Sequence, residues 1–381
     1  MHYFIYSSKD SYITKNSPAE VILYKDSEDK NYGRDEILEL KKEFSNSYST
    51  TPHNISRMLV QFDYTNISQS IVDEIITNPK FYLKYYEVEG QSELTKTYSL
   101  SSYPLKRSWE EGLGKKYDTP SITDDVTWKN RITDSTWTTD GGDWLTGGDY
   151  QASQSFVNQS GDIEMDVTDI INKHLDGTIS NYGFITKFSG SIENDISEPW
   201  DLKFFSKNTH TIYAPRLEVR WDDSTYDYEG TFEDYEAEFN EAFGEFNDPN
   251  LDLNELTMSG EVNNHIFIRG LRENYMESET VRFRMGCRKK YVQKTFTESV
   301  HNSSFYVPEG SGSYSIVDVA TDTSIVPFSD YTKLSADLTS MYFDQNLNAF
   351  ETGRYYKILF KLKYNDGQEI IYNNNEEFKI V

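Results

Sequence analysis

The sequence predicts an all-β protein: an N-terminal jelly-roll-like β-sandwich and a C-terminal immunoglobulin-like β-sandwich, joined by an acidic, partly helical connector. Three observations carry this expectation. The 381 residues include 29 Tyr and 22 Phe beside many Thr, Ser and Asn, a composition that suits pleated, half-buried strands and the turns between them. Short apolar runs bounded by Gly, Asn, Asp and Ser recur along most of the chain, the pattern of sandwiches and jelly rolls. Charge divides the chain, because residues 222–252 hold twelve acids and no Lys or Arg occurs between Arg220 and Arg269. The expected domains are therefore 1–221, 222–252 and 253–381, in line with the length.

In the first region, strands are expected at Val21–Leu23, Met58–Phe62, Phe81–Tyr86, Tyr98–Tyr103, Gly183–Lys187 and Leu217–Trp221. Two helical turns interrupt them. One runs from Ser68 to Ile75 and ends at Asn78-Pro79; the other runs from Thr168 to Leu175 and ends near Gly177, with Thr168 as its N-cap. The third region is more regular. Apolar and Lys positions alternate through Lys357–Tyr364, Asn365-Asp366-Gly367 supplies a turn, and Glu369–Tyr372 returns as the second arm of a hairpin. Val281–Met285 alternates as well.

Composition also bounds function. The formal net charge is -26, from 63 acidic and 37 basic residues, and such a surface repels phosphate backbones and anionic lipid, so neither nucleic acid nor membrane is an expected partner. No apolar run reaches the ~20 residues of a membrane span. The opening residues Met1–Asp10 lack a basic head and a long apolar stretch, so no secretory leader is expected. The single cysteine, Cys287, cannot pair within the chain, which fits synthesis in a reducing cytoplasm.

Candidate chemistry is sparse. Glu110-Glu111 beside Trp109 could mimic a glycosidase acid and base, but neighbours on a strand face opposite ways and do not address one substrate. The six His are scattered without metal-ligand spacing, and no nucleophile elbow or phosphate loop occurs. No catalytic residue, metal or cofactor is expected. Asp140-Gly-Gly-Asp143-Trp144 and Gly147-Gly148-Asp149-Tyr150 form a local doublet. Trp137, Trp144 and Tyr150 could stack on sugar rings while Asp143 and Asp149 hold calcium or hydroxyls; the other reading is a glycine-rich loop whose aromatics seal the sandwich edge. In the connector, Phe232, Tyr235, Phe239, Phe243 and Phe246 fall at helical spacing, with acids on the opposite face, a capping box at Thr231 and Asp234, and a stop at Asp248-Pro249. That stripe either packs on its own domains or docks into a neighbouring subunit.

Asp10–Ile13, Asn31–Leu40, Ser56–Asp63, Arg107–Gly112, Val126–Trp128, Asp166–Thr168, Asn181–Phe184 and Ala214–Leu217 form an ordered set spaced over nearly all of residues 1–221. In that order and spacing the first region resembles the DNRLRE family of β-sandwich modules. The resemblance implies a jelly roll related to carbohydrate-binding modules, found on bacterial surface proteins and in phage particles. In the sequence itself, Gly33 and Gly183 suit tight turns, and Trp109 and Trp128 are large enough to fill a core. Through Arg282–Arg284, Lys290-Tyr291, Lys294–Phe296, Tyr314–Asp318, Pro327–Ser335 and Phe378–Val381, the third region is similar to the end of virion structural proteins of contractile-tailed cyanophages. Together these resemblances imply a virion structural protein, an accessory neck, tail or baseplate-peripheral part assembled in host cytoplasm. Its partners would be other virion proteins, it would be oligomeric in the particle, and a host-surface glycan is a second partner class. The alternative is a glycan-binding adhesion module on a phage or bacterial surface.

Overall fold

The computed structural model describes residues 1–16, 28–43, 54–89, 97–195, 199–226, 254–256, 258–259, 264–291, 305–337 and 340–381. Among the described residues the protein is all-β and sandwich-like, 45% strand and 9% helix. It divides into two compact units, one of Phe4–Ile75 and Pro79–Val219, the other of Met1–Tyr3, Ile76–Asn78 and Arg220–Val381. Met1–Tyr3 thus belong with the C-terminal residues. The first amino group donates to the carbonyls of Trp221 and Tyr331 and to Asp223 Oδ1, the last at 2.7 Å. The strand expected at Val21–Leu23 lies outside the described residues.

The N-terminal strands are β1 (His2–Asn16), β2 (Ile37–Glu43), β3 (Asn54–Phe62), β4 (Lys80–Tyr85), β5 (Thr97–Pro104), β6 (Asn130–Ile132), β7 (Ser135–Thr136), β8 (Ala152–Val157), β9 (Ile163–Asp166), β10 (Phe184–Phe188), β11 (Trp200–Phe205) and β12 (Arg216–Arg220). Ten of them form one sheet in the order β8-β5-β10-β3-β1-β12-β4-β9, with β2 joining β3 and β11 joining β2. The sheet comes close to closing on itself. Within it, β1 runs 15 residues and its register against β3 shifts between Ser7 and Lys9, and such a bulge bends a strand and increases its twist.

Two helices are described, α1 (Thr65–Val72) and α2 (Thr168–Leu175). The latter has the predicted bounds, but its cap differs. Val167 is the N-cap, and the Thr168 hydroxyl accepts the Phe81 backbone N–H at 2.9 Å instead. A hydroxyl that already serves the neighbouring strand does not serve its own helix.

The core holds Trp109, Trp128 and Trp137 with Ile13, Ile55, Leu59, Leu105, Val126 and Ile185. Its loops are pinned by Asn31, which is fully buried. The Asn31 amide donates to the carbonyls of Glu111 and Val126, both at 2.8 Å. Its oxygen accepts from Gly33 at 3.1 Å and Gly114 at 2.8 Å. Two donors and two acceptor sites exhaust an amide's capacity. The glycines permit the close approach, since a Cβ on Gly33 would stand 2.1 Å from the Glu111 oxygen and one on Gly114 2.3 Å from the Asn31 oxygen. The pieces that carry the family resemblance meet here and nearby: Tyr12 stacks on Tyr32 with centroids 4.4 Å apart, and Trp109 Nε1 donates to the Tyr182 carbonyl at 2.9 Å.

The C-terminal strands are β13 (Asn254–Glu255), β14 (Asn264–Arg269), β15 (Asn274–Tyr275), β16 (Thr280–Lys289), β17 (Phe305–Tyr306), β18 (Gly312–Asp318), β19 (Ser324–Val326), β20 (Ser335–Ala336), β21 (Met341–Asn346), β22 (Tyr355–Lys363), β23 (Glu369–Tyr372) and β24 (Glu377–Ile380). They form two sheets, β13-β17-β16-β21-β20 with β14 on β16, and β15-β24-β22-β18-β19 with β23 on β22. Aromatics from both sheets interlock: Phe343 stacks on Tyr314 at 3.9 Å and on Phe283 at 5.1 Å, and Phe378 lies 5.5 Å from Phe283. The hairpin read from Lys357–Tyr372 is β22–β23, in register from Phe360↔Tyr372 to Lys363↔Glu369.

Asn31→Asp keeps the shape of the side chain but cannot donate to Glu111 and Val126. Each buried acceptor left unmade costs roughly 1–3 kcal/mol, so the N-terminal unit should lose about 2–5 kcal/mol in urea unfolding followed by Trp fluorescence.

Candidate functional site

The aromatic doublet does not form one open stacking surface. Trp137 is 3% exposed, and its Nε1 donates to the Thr127 carbonyl at 3.1 Å. It is a core residue, clustered with Trp109, Val126 and Trp128, and its burial corrects the sugar-stacking expectation for this ring. Trp144 is half-buried beside Tyr103. Tyr150 is half-buried elsewhere on the loop, with the Lys173 ammonium 5.0 Å from its ring centre. Asp143 is buried, and its carboxylate accepts the backbone N–H of Thr138 at 2.7 Å and of Thr139 at 2.9 Å. It organises the turn that presents Trp144. Asp149 is exposed, 3.9 Å from Lys173. Among the described residues no three His, Cys, Asp or Glu side chains gather as a metal site.

Beneath Trp144 lies a buried ionic cluster. Glu193 receives Arg57 through two hydrogen bonds, at 2.8 and 3.0 Å, and Lys187 at 2.6 Å. Arg57 also donates to the Gly141 carbonyl at 2.7 Å, and its guanidinium stacks 4.7 Å from Trp128 and 5.0 Å from Trp144. Burial pushes the Glu193 carboxyl up, but the two cations outweigh it and hold it ionised, below the usual range. Burial depresses Lys187, against the pull of Glu193. Such a cluster fixes β3, β10 and the aromatic loop together, at a desolvation cost that hydrogen bonding offsets.

Glu110 and Glu111 sit in an irregular segment, not a strand. Glu110 pairs with Lys9 at 3.0 Å, and Glu111 pairs with Lys207 at 2.8 Å while accepting the Asp10 backbone N–H at 3.0 Å. Asp10 is raised to about 7, chiefly by burial and further by the Glu111 charge, although the Lys207 N–H donates to it at 2.6 Å. These carboxylates tie β1 to the Trp109 segment and to the loop after β11.

An open cavity of about 410 Å³ is lined by Arg34, Asp35, Glu36, Glu39, Val88, Lys116, Tyr117 and Lys203, among others. Lys116 and Glu39 bond across it at 2.6 Å, Asp35 accepts the Tyr12 hydroxyl at 3.0 Å, and Tyr117 is 70% exposed at the mouth. Sequence reading missed this site because its residues come from four separated segments. The Lys115-Lys116-Tyr117 run is the one local signal. Cys287 is buried, and burial pushes its thiol up to about 12, so it packs as a small apolar residue. The assembly candidates Phe232, Tyr235, Phe239, Phe243 and Phe246 lie outside the described residues.

No family model matches the chain, and no curated protein is similar to it in sequence. Among solved structures, the crystal structure of the botulinum neurotoxin serotype C1 binding domain is 9% identical, with 90% of each chain covered and a TM-score of 0.16. At that score the likeness carries no argument about fold or function.

Two outcomes are expected. Glu193→Gln leaves Arg57 and Lys187 buried without their counter-charge and should cost roughly 3–5 kcal/mol of stability in urea. His174 is buried against Tyr64 and Phe184 with neither ring nitrogen hydrogen-bonded, and burial lowers it from 6.5 to about 4. The unfolded chain therefore binds the extra proton first, so this contribution is complete above pH 6.5 and is lost as pH falls towards 4, by about 3 kcal/mol. Asp10 acts oppositely, favouring the fold below its raised value. The difference between wild type and His174→Phe isolates the histidine: wild type should lose stability relative to the variant across that window in thermal melts.

Proposed function

We propose that the chain is a non-enzymatic structural component of a tailed-phage virion, an accessory neck, tail or baseplate-peripheral protein acting through protein–protein assembly. One observation carries the non-catalytic side of this reading. The carboxylates nearest the aromatic segment, Glu110, Glu111 and Asp143, are engaged in ion pairs and backbone hydrogen bonds that brace loops. A glycosidase needs a carboxyl pair facing one substrate. The virion side rests on the family resemblances and on the aromatic stripe of the acidic connector, a feature that a merely solvated linker has no use for. A glycan-binding reading is favoured by a different feature, the cavity that places Tyr117 beside alternating acidic and basic groups.

Mass spectrometry of purified particles should find the protein, and Phe239→Ala with Phe243→Ala should fold but enter particles poorly. Absence from particles, or normal incorporation of the double variant, would overturn the corresponding part. Release of reducing sugar from host envelope glycans by the purified protein would overturn the non-enzymatic claim. A glycan-array signal lost in Tyr117→Ala would establish the second reading.

A further inference from the structure

Just past its register shift, β1 buries the carboxyl of Asp10, which is 1% exposed. Asp10 Oδ2 accepts the Lys207 backbone N–H at 2.6 Å and the Ser7 hydroxyl at 3.3 Å. Asp10 Oδ1 is buried with no hydrogen-bond partner among the described residues. Beside it stands Glu111, whose Oε1 accepts the Asp10 N–H at 3.0 Å. The Lys207 ammonium donates to Glu111 at 2.8 Å and to the Ser8 carbonyl at 2.8 Å. Lys9, next to Asp10 on β1, is turned instead to Glu110 and the Trp109 carbonyl. The charged or titratable groups that face Asp10 are thus Glu111 from the Trp109 segment, Lys207 from the loop after β11 and the Tyr85 hydroxyl from β4. Its paired residue on β3, Val60, is apolar.

The balance of charge decides where a proton stays. Two neighbouring carboxyls share one ammonium, and a second negative charge beside the first is disfavoured. Glu111 holds that ammonium at hydrogen-bond distance and keeps some contact with water, its side chain being 13% exposed. Asp10 has neither advantage. Ionised, it would place in the interior a charge without a counter-ion and an oxygen without a donor, which is costly. Both of its donors reach Oδ2, so Oδ1 is left to carry the proton. Burial first, and then the Glu111 charge, push the carboxyl up to about 7 against the pull of Lys207.

We infer that Asp10 is a proton-operated latch: protonated, it fastens the loop after β11 and the Trp109 segment to β1, and its ionisation releases that loop. Lys207 is the joint, because its N–H ends on Asp10 and its ammonium on Glu111. The sign follows from the two end states. With the latch open and Asp10 in water, the proton leaves near the ordinary carboxylate value of about 3.9; with the latch closed it leaves near 7. Opening therefore becomes easier as pH rises between these values and changes no further above them. From pH 6 to pH 8 the opening equilibrium should rise about tenfold.

The test is native-state hydrogen exchange of the full chain, read at the Lys207 amide and corrected for the intrinsic rate. Wild type should lose about tenfold in protection from pH 6 to pH 8. Asp10→Asn keeps the shape of the side chain and has no proton to lose, so its protection should not change across that range. Glu111→Gln leaves the Lys207 ammonium to Asp10 alone and should move the loss lower by about one pH unit or more. A bracing role for Glu111 without charge coupling would weaken protection at every pH and leave the midpoint in place. The Asp10 carboxyl carbon, followed by NMR in the wild-type chain, should titrate near 7, a measurement that needs no variant to fold. Protection independent of pH in wild type, an equal loss in Asp10→Asn, an unmoved midpoint in Glu111→Gln, or a carboxyl midpoint at about 4 would each overturn the inference.

Discussion

Much of the N-terminal unit depends on one buried amide. Asn31 has four hydrogen bonds, to Gly33, Glu111, Gly114 and Val126, and through them it sets the path of the loop that carries Trp109 and delivers Val126 and Trp128 to the core. No apolar side chain could do this, because four backbone groups would be left unpaired in the interior. The surrounding glycines follow from the same requirement. Backbone must come within contact distance of the amide, and side chains there would occupy its space.

A second constraint is ionic. Arg57 and Lys187 converge on Glu193 under Trp144, so the aromatic loop is anchored from below by charge and from the side by Trp128. Pairing of this kind contributes little net stability but makes alternative packings costly, since any rearrangement strands a buried charge. The turn formed around Asp143 has a similar role at smaller scale.

What could be read from the sequence follows from range. The β22–β23 hairpin is local: alternation marks its faces and Asn365-Asp366-Gly367 marks its turn, so both were legible. The helix Thr168–Leu175 was legible for the same reason, whereas its cap was not, because the Thr168 hydroxyl is claimed by Phe81 far away in sequence. Trp137 shows the limit most clearly. Its neighbourhood of Gly and Asp looks like an exposed loop, yet the ring is buried, and nothing within ten residues distinguishes a tryptophan that seals a core from one that faces solvent. Arg57 and Glu193 are 136 positions apart, so their pairing leaves no local trace. The open cavity beside Tyr117 draws on Arg34, Val88 and Lys203, and only the fold brings them together.

The uneven distribution of two side-chain types has an experimental consequence. Five tryptophans, Trp109, Trp128, Trp137, Trp144 and Trp200, belong to the N-terminal unit, while the lone thiol, Cys287, is buried in the C-terminal one. Intrinsic emission therefore reports mainly on one unit. A thiol-labelling reagent reports on the other, because a buried, fully protonated sulfur reacts only when its surroundings open. The molecule carries two independent clocks, and a single unmodified sample can show whether its halves unfold together or in sequence.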